Sequence, residues 1–162
     1  MTTGLNGITM ELVLATDTHI AQLMAWFNSE DQLTQWAGPN FRYPFNLDTF
    51  KADLQTDKLT SCVLQSQHGV LQAFGQFYMR FGRCHLARLV VNPSQRGKGV
   101  SKILLSELCK QGLQSLNVAQ YGLFVYEDNQ SAMYAYEKFG FVIHPNPEHE
   151  VSEHCVYMVK PN

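Results

Sequence analysis

At 162 residues, and with roughly 150 residues to a domain, the chain has room for about one domain spanning residues 1–162, so separate cofactor and substrate domains are not expected. Its composition, 45% hydrophobic and 12% aromatic with only 16% charged, fills a core and excludes a disordered chain. Twelve Lys and Arg against fourteen Asp and Glu leave a net charge of −2, which excludes a summed positive field for nucleic acid; any anion must be held locally.

Cys62, Cys84, Cys109 and Cys155 form no Cys-x-x-Cys pair and no zinc-ligand spacing. His144, His149 and His154 recur every five residues, but Pro145 and Pro147 prevent one helix from presenting them together, so no metal is expected. No basic stretch followed by an apolar run opens the chain, and no run nears the roughly eighteen apolar residues of a membrane span. A cytoplasmic protein with reduced, mostly buried thiols and no membrane partner is the expectation.

In chain order, Ile8 to Leu14 reads as a strand that stops at the helix-capping pair Thr16-Asp17. Ile20, Leu23, Met24 and Phe27 then share one helical face. A short helix is predicted around Asp31 to Trp36, then a loop containing Phe41, Tyr43 and Phe45, then a helix from Leu47 to Leu54. Thr60 to Gln65, Val70 to Met79 and Cys84 to Asn92 are three strands separated by His68-Gly69 and Phe81-Gly82-Arg83, an antiparallel meander. Lys98 to Leu116 has a wide apolar face, Tyr121 to Val125 reads as a buried strand, and Gln130 to Phe139 as an amphipathic helix ended by Gly140 and Phe141. Terminal strands fall near Phe141 to Ile143 and Cys155 to Val159. This order predicts a mixed α/β (α+β) fold: a mostly antiparallel twisted sheet of six to seven strands and about four helices. Its one parallel strand-helix-strand unit runs from Cys84 to Val125.

Between the strand and the long helix lies Val90-Val91-Asn92-Pro93-Ser94-Gln95-Arg96-Gly97-Lys98-Gly99-Val100-Ser101. Pro93 ends the strand, Gly97 and Gly99 allow close backbone approach, and the opening N–H groups of a helix attract an anion such as a pyrophosphate, with Arg96 and Lys98 adding charge. The plainer alternative is a glycine turn with solvated basic residues. A Walker A loop fails on spacing, and a dinucleotide fingerprint fails because Lys102 stands at its third glycine.

The segment Val91-Asn92-Pro93 followed by Arg96-Gly97-Lys98-Gly99 resembles the signature of the GNAT superfamily of N-acetyltransferases, with Ser101 in place of the last Gly or Ala. A second family pattern, Asn-x-x-Ala-x-x-x-Tyr-x-x-x-Gly-Phe, is met by Asn129, Ala132, Tyr136, Gly140 and Phe141. The two together cover about residues 86 to 141. The resemblance implies an acetyl-CoA-dependent N-acetyltransferase in which a primary amine attacks the thioester directly in a ternary complex. It implies that the backbone from Arg96 through Gly97, Lys98, Gly99 and Val100 to Ser101 holds the pyrophosphate of acetyl-CoA. By the same analogy a bulge splays the strand ending at Val91 from the one at Tyr121 to Val125, Leu89 and Val91 pair with pantetheine, and an amide near Val90 faces the thioester oxygen.

The resemblance makes Tyr136 the proton donor to the departing thiolate, its phenol pKa of about 10 suiting a thiol; packing is the alternative role. Asn129 is a pantetheine contact or a helix cap. Where some relatives hold a glutamate this chain has Phe124, and where histone-directed relatives hold another it has His85. An imidazole near 6.5 is a possible base, with an ordinary strand residue or a water chain to Glu127 or Asp128 as alternatives. Trp26, Trp36, Phe41 and Tyr43 are candidate walls of an acceptor pocket, and Glu30 or Asp31 candidate cation attractors. A small-molecule amine or amino-acid-like acceptor is expected, with a protein amine as the alternative. A homodimer through terminal strands is open. A non-catalytic acyl-CoA binding or sensing module and a plain interaction domain are the competing functions.

Overall fold

A computed structural model of the chain describes residues 2–3, 9–148 and 154–161. Ile8 and His149 lie outside the described residues. The elements are β1 (Thr2–Thr3), β2 (Thr9–Leu14), α1 (Asp17–Met24), α2 (Glu30–Ala37), α3 (Leu47–Leu54), β3 (Thr60–Ser66), β4 (Leu71–Arg80) and β5 (Arg83–Val91). A 3-10 turn (Pro93–Gln95) leads to α4 (Val100–Leu116), β6 (Gln120–Tyr126), α5 (Gln130–Phe139), β7 (Val142–His144) and β8 (Cys155–Pro161). The mixed, mostly antiparallel sheet matches the expected fold class. Among the described residues no helix is long and apolar enough to cross a membrane.

The chain falls into two compact units, Met1–Gln76 with Arg88–Leu104, and Phe77–Ala87 with Leu105–Asn162. In the first, the strand order is β1-β2-β3-β4-β5. β2 pairs antiparallel with β3 from Met10↔Ser66 to Leu14↔Cys62. Its helices begin at residues whose side chains accept from the first turn: Thr16 for α1, Ser29 for α2 and Asn46 for α3. Their inner faces, with Ile20, Leu23, Leu33, Phe50 and Leu54, meet Val63, Leu71 and Phe74 of the strands in one apolar cluster. Trp36 stacks on Phe27 with centroids 4.5 Å apart, and Phe41 and Phe45 pack on Phe50.

In the second unit the strands run β4-β5-β6-β8-β7. Phe81 and Gly82 both have positive φ, +54° and +71°, the signature of a two-residue type I′ hairpin between β4 and β5. β5 and β6 are parallel, in register from Cys84↔Tyr121 to Leu86↔Leu123. β6 and β8 are antiparallel from Gln120↔Pro161 to Tyr126↔Cys155. Gly112 brings α4 against β5: a Cβ there would stand 2.5 Å from Cys84 Sγ. Cys62, Cys84 and Cys109 are buried free thiols, pushed by desolvation up to about 11, about 12 and about 12, so none offers a thiolate near neutrality.

The long helix starts at Val100, two residues later than its periodicity suggested. Gly97 and Gly99 have φ of +77° and +78°, a left-handed backbone that cannot be part of a right-handed helix.

Candidate active site

Asn92 anchors the end of the motif strand in the first unit. Its N–H donates to Gln72 O at 2.8 Å, and its Nδ2 to Leu71 O at 2.9 Å. Its Oδ1 accepts from Ser94 N at 3.0 Å, which opens the turn that Pro93 begins. The chain then passes through Gly97 and Gly99 into α4. Each other α-helix is capped by a Thr, Ser or Asn side chain, whereas the residue before Val100 is Gly99, which has no side chain to accept from the first turn. The Gly99 carbonyl accepts from Ile103 N at 3.5 Å, as an N-cap carbonyl does. The N–H groups of Val100, Ser101 and Lys102 therefore lack internal partners by helix geometry, and no acid occupies the first turn.

These N–H groups and the positive helix end suit an anion with several acceptor oxygens. Nothing lies within 4 Å of where a Gly97 Cβ would be, and Arg96, Lys98, Ser101 and Lys102 are exposed around the turn. A coenzyme A pyrophosphate fits this donor set. Val100 is buried and anchors the helix start. Leu89, Val90 and Val91 form the last three residues of β5, with Val90 packed against the apolar cluster of the first unit.

The second unit contains His85, Asn129 and Tyr136. Asn129 caps α5, its Oδ1 accepting from Ala132 N at 3.2 Å. That leaves its Nδ2 without an acceptor among the described residues, so capping and ligand contact are compatible. Seven residues on, the α5 terminus sets Tyr136. Its carbonyl accepts from Gly140 N at 3.1 Å and Phe141 N at 3.0 Å, and Gly140 takes φ of +116°. This is a Schellman ending, and the buried Phe141 ring returns against Tyr136 with centroids 6.1 Å apart. The Asn, Tyr and Gly-Phe of the pattern are thus the start, the last turn and the stop of one helix. Tyr136 is half-buried, desolvation pushes its phenol up to about 12, and no described residue bonds its hydroxyl.

His85 corrects an expectation. It is buried, 3% exposed, between the rings of Tyr78 and Phe124 at 5.2 and 5.4 Å. Burial first, and then the Arg80 charge, push its imidazole down to about 3 rather than near 6.5, and its Nδ1 is buried without a partner. Because the folded state holds this group neutral while the unfolded chain protonates it near 6.5, stability is complete above that pH and falls as pH drops toward 3. The slope from this group approaches about 1.4 kcal/mol per pH unit in that window. His85→Phe should flatten that loss, read as the urea midpoint at pH 7 against pH 4.5; an unchanged difference overturns the assignment.

The proposed acceptor walls share the first unit. Trp26, Trp36 and Phe41 pack on its apolar cluster, whereas Tyr43 is more exposed and its hydroxyl donates to Asn28 O at 3.3 Å. Glu30 and Asp31 lie exposed in the first turn of α2, where they complement its helix dipole. Among the described residues no three His, Cys, Asp or Glu side chains converge to hold a metal ion. Two residues escaped the sequence reading: Gln76, fully buried in β4, and Arg88, left-handed within β5 at φ of +52°. A polar residue inside the apolar run of β4 was the available signal.

Residues 30–141 match the model of the acetyltransferase (GNAT) family. Among solved structures, the spermidine N-acetyltransferase of Vibrio cholerae in complex with coenzyme A and spermine is similar with a TM-score of 0.71 and 16% identity, over 94% of this chain and 95% of that one. The PaiA N-acetyltransferase of Thermoplasma acidophilum in complex with coenzyme A gives 0.72 and 16%, over 95% and 99%. A putative acyl-CoA N-acyltransferase from Klebsiella pneumoniae gives 0.67 and 17%, over 95% and 97%. At these identities the neighbours share the fold; the family model spans more than two thirds of the sequence and includes both motifs. The chain belongs to the acetyltransferase (GNAT) family and is an acetyl-CoA-dependent acyltransferase.

Proposed function

We propose that the protein is one N-acetyltransferase domain that transfers the acetyl group of acetyl-CoA to a small primary amine by direct attack within a ternary complex. The observation that carries this reading is the start of α4, uncapped by any side chain and reached through two left-handed glycines. That arrangement leaves main-chain donors for a diphosphate.

When bound, acetyl-CoA supplies an activated thioester carbonyl. Backbone N–H groups from Arg96 to Ser101 hold its diphosphate. Leu89 and Val91 pair through their main chains with the pantetheine arm, which Asn129 Nδ2 also contacts. The amide near Val90 donates to the thioester oxygen and stabilises the negative charge that gathers there. Tyr136 gives its phenolic proton to the departing sulfur. The incoming amine must lose a proton, and a water chain to the exposed Glu127 or Asp128 is the acceptor route in this reading. His85, buried between two rings with its Nδ1 unpartnered and held near 3, is too weak a base and too far from solvent to take that proton. His85→Gln is expected to keep both kcat and the acidic limb of the pH–rate profile; loss of either returns His85 to the mechanism.

The acceptor is taken to be a small molecule because aromatic residues of the first unit offer a compact apolar wall, and because the Vibrio neighbour is a spermidine N-acetyltransferase. A panel of polyamines, amino acids and amino-acid amides, followed by thiol release from acetyl-CoA, tests the reading. Amine-dependent release is expected. Coenzyme A binding without release for any amine makes the protein a binding module, and no heat with coenzyme A in calorimetry overturns the reading altogether.

A further inference from the structure

Arg88 is the one non-glycine residue of β5 in the left-handed region, at φ of +52°. A residue with a Cβ is disfavoured there, so something must hold it. Its guanidinium donates from Nη1 to Gln76 Oε1 at 2.9 Å and lies over the Phe41 ring at 5.2 Å. Gln76 has no freedom of its own. It is completely buried, and its Nε2 donates to Leu54 O at 2.8 Å and Ser61 Oγ at 2.9 Å. The far end of the same stretch is pinned as well, because Asn92 bonds Gln72 O and Leu71 O on β4. Leu89, Val90 and Val91 are thus suspended between two fixed points. A left-handed residue within a strand breaks its alternation and turns the following peptide groups out of the ladder.

The geometry points to Gln76 and Arg88 as a positioning latch: Gln76, anchored in the core, holds Arg88 left-handed and thereby aims the Leu89–Val91 peptide groups at the thioester. This inference rests on the reading above, in which those groups bind the pantetheine arm and the thioester oxygen. The latch acts through backbone direction rather than by touching substrate, so its loss lowers kcat while the diphosphate grip, made from Arg96 to Ser101, keeps acetyl-CoA affinity.

The test uses the full chain with the best amine of the panel. Gln76→Leu is expected to lower kcat by about 30-fold at saturating substrates, with the acetyl-CoA Kd within about threefold. Adding Arg88→Gly, which takes φ of +52° without a Cβ, should restore kcat to within about fivefold of wild type, whereas adding Arg88→Val should not. If Gln76→Leu does not fold, single Arg88→Gly and Arg88→Val proteins carry the same comparison, with glycine at least tenfold the faster by the difference in left-handed tolerance. Wild-type kcat in folded Gln76→Leu, or equal rates for glycine and valine at position 88, overturns the latch while wild-type turnover upholds the enzyme. A wild-type protein that binds no coenzyme A overturns both.

Discussion

Replacing Tyr136 by Phe is expected to lower kcat by about 100-fold or more and to leave the Kd of acetyl-CoA within about twofold, as loss of the proposed general acid requires. The substitution removes one oxygen and keeps the ring, so the contact with Phe141 and the helix ending at Gly140 survive. Burial has raised the phenol to about 12, and the sign of that shift has a kinetic consequence. A raised pKa keeps the proton on oxygen throughout any practical assay range, so Tyr136 contributes no basic limb to the wild-type pH–rate profile below about pH 11. A higher pKa also makes a weaker acid, which suits proton transfer concerted with C–S cleavage. A thiolate expelled into equally desolvated surroundings has its own pKa raised by the same cause. Stopped-flow thiol release with separate calorimetric Kd values reads both quantities. Unchanged kcat in Tyr136→Phe overturns the acid role and leaves packing on Phe141 as its function.

Where local chemistry decided an element, the sequence was sufficient. The bounds of α3 and α5 agree with those read from the sequence because Asn46 and Asn129 cap them and because Gly140 can take the left-handed turn at the end of α5. The two motifs were legible through their resemblance to a family signature, several of whose fixed residues, Pro93, Gly97, Gly99, Asn129 and Gly140, start, bend or stop a backbone. The beginning of α4 was misread by two residues because hydrophobic period says nothing about φ at Gly97 and Gly99. β1 has two residues, too few to show any period.

What the sequence did not disclose depends on register. The His85 shift comes from neighbours on other strands: the Tyr78 and Phe124 rings bury it, and the Arg80 charge reaches it across the Phe81-Gly82 hairpin. No spacing along one strand predicts that its pKa falls. The Gln76–Arg88 pair was hidden for a related reason. Arginine carries no signature of a left-handed residue, and its role emerges only when a buried amide twelve positions earlier in the chain is found beneath it. The Phe124 position, by contrast, was singled out by the family resemblance alone. Its ring supplies part of the wall that desolvates His85.

Placing a carboxylate in the first turn of α4 should move stability and affinity in opposite directions. Ser101→Asp puts a negative charge at the positive end of a helix that has neither an acidic residue in its first turn nor a side-chain cap, worth about 0.3–1 kcal/mol of added stability. Free N–H groups there would gain an acceptor, and thermal unfolding should shift up slightly. The same charge stands where the diphosphate is proposed to bind. At about 4 Å, and with an effective dielectric near 20, each pair of like charges costs about 4 kcal/mol before screening. Even after salt and side-chain relaxation remove half of one such pair, the Kd of coenzyme A rises about 30-fold or more. Ser101→Ala, which removes only a hydroxyl, should stay within about threefold. A purely structural glycine turn predicts the stability gain without the affinity loss. Coenzyme A binding to Ser101→Asp with wild-type affinity would therefore remove the helix terminus from the site, and with it the reason for assigning Arg96 to Ser101 any role beyond solvation.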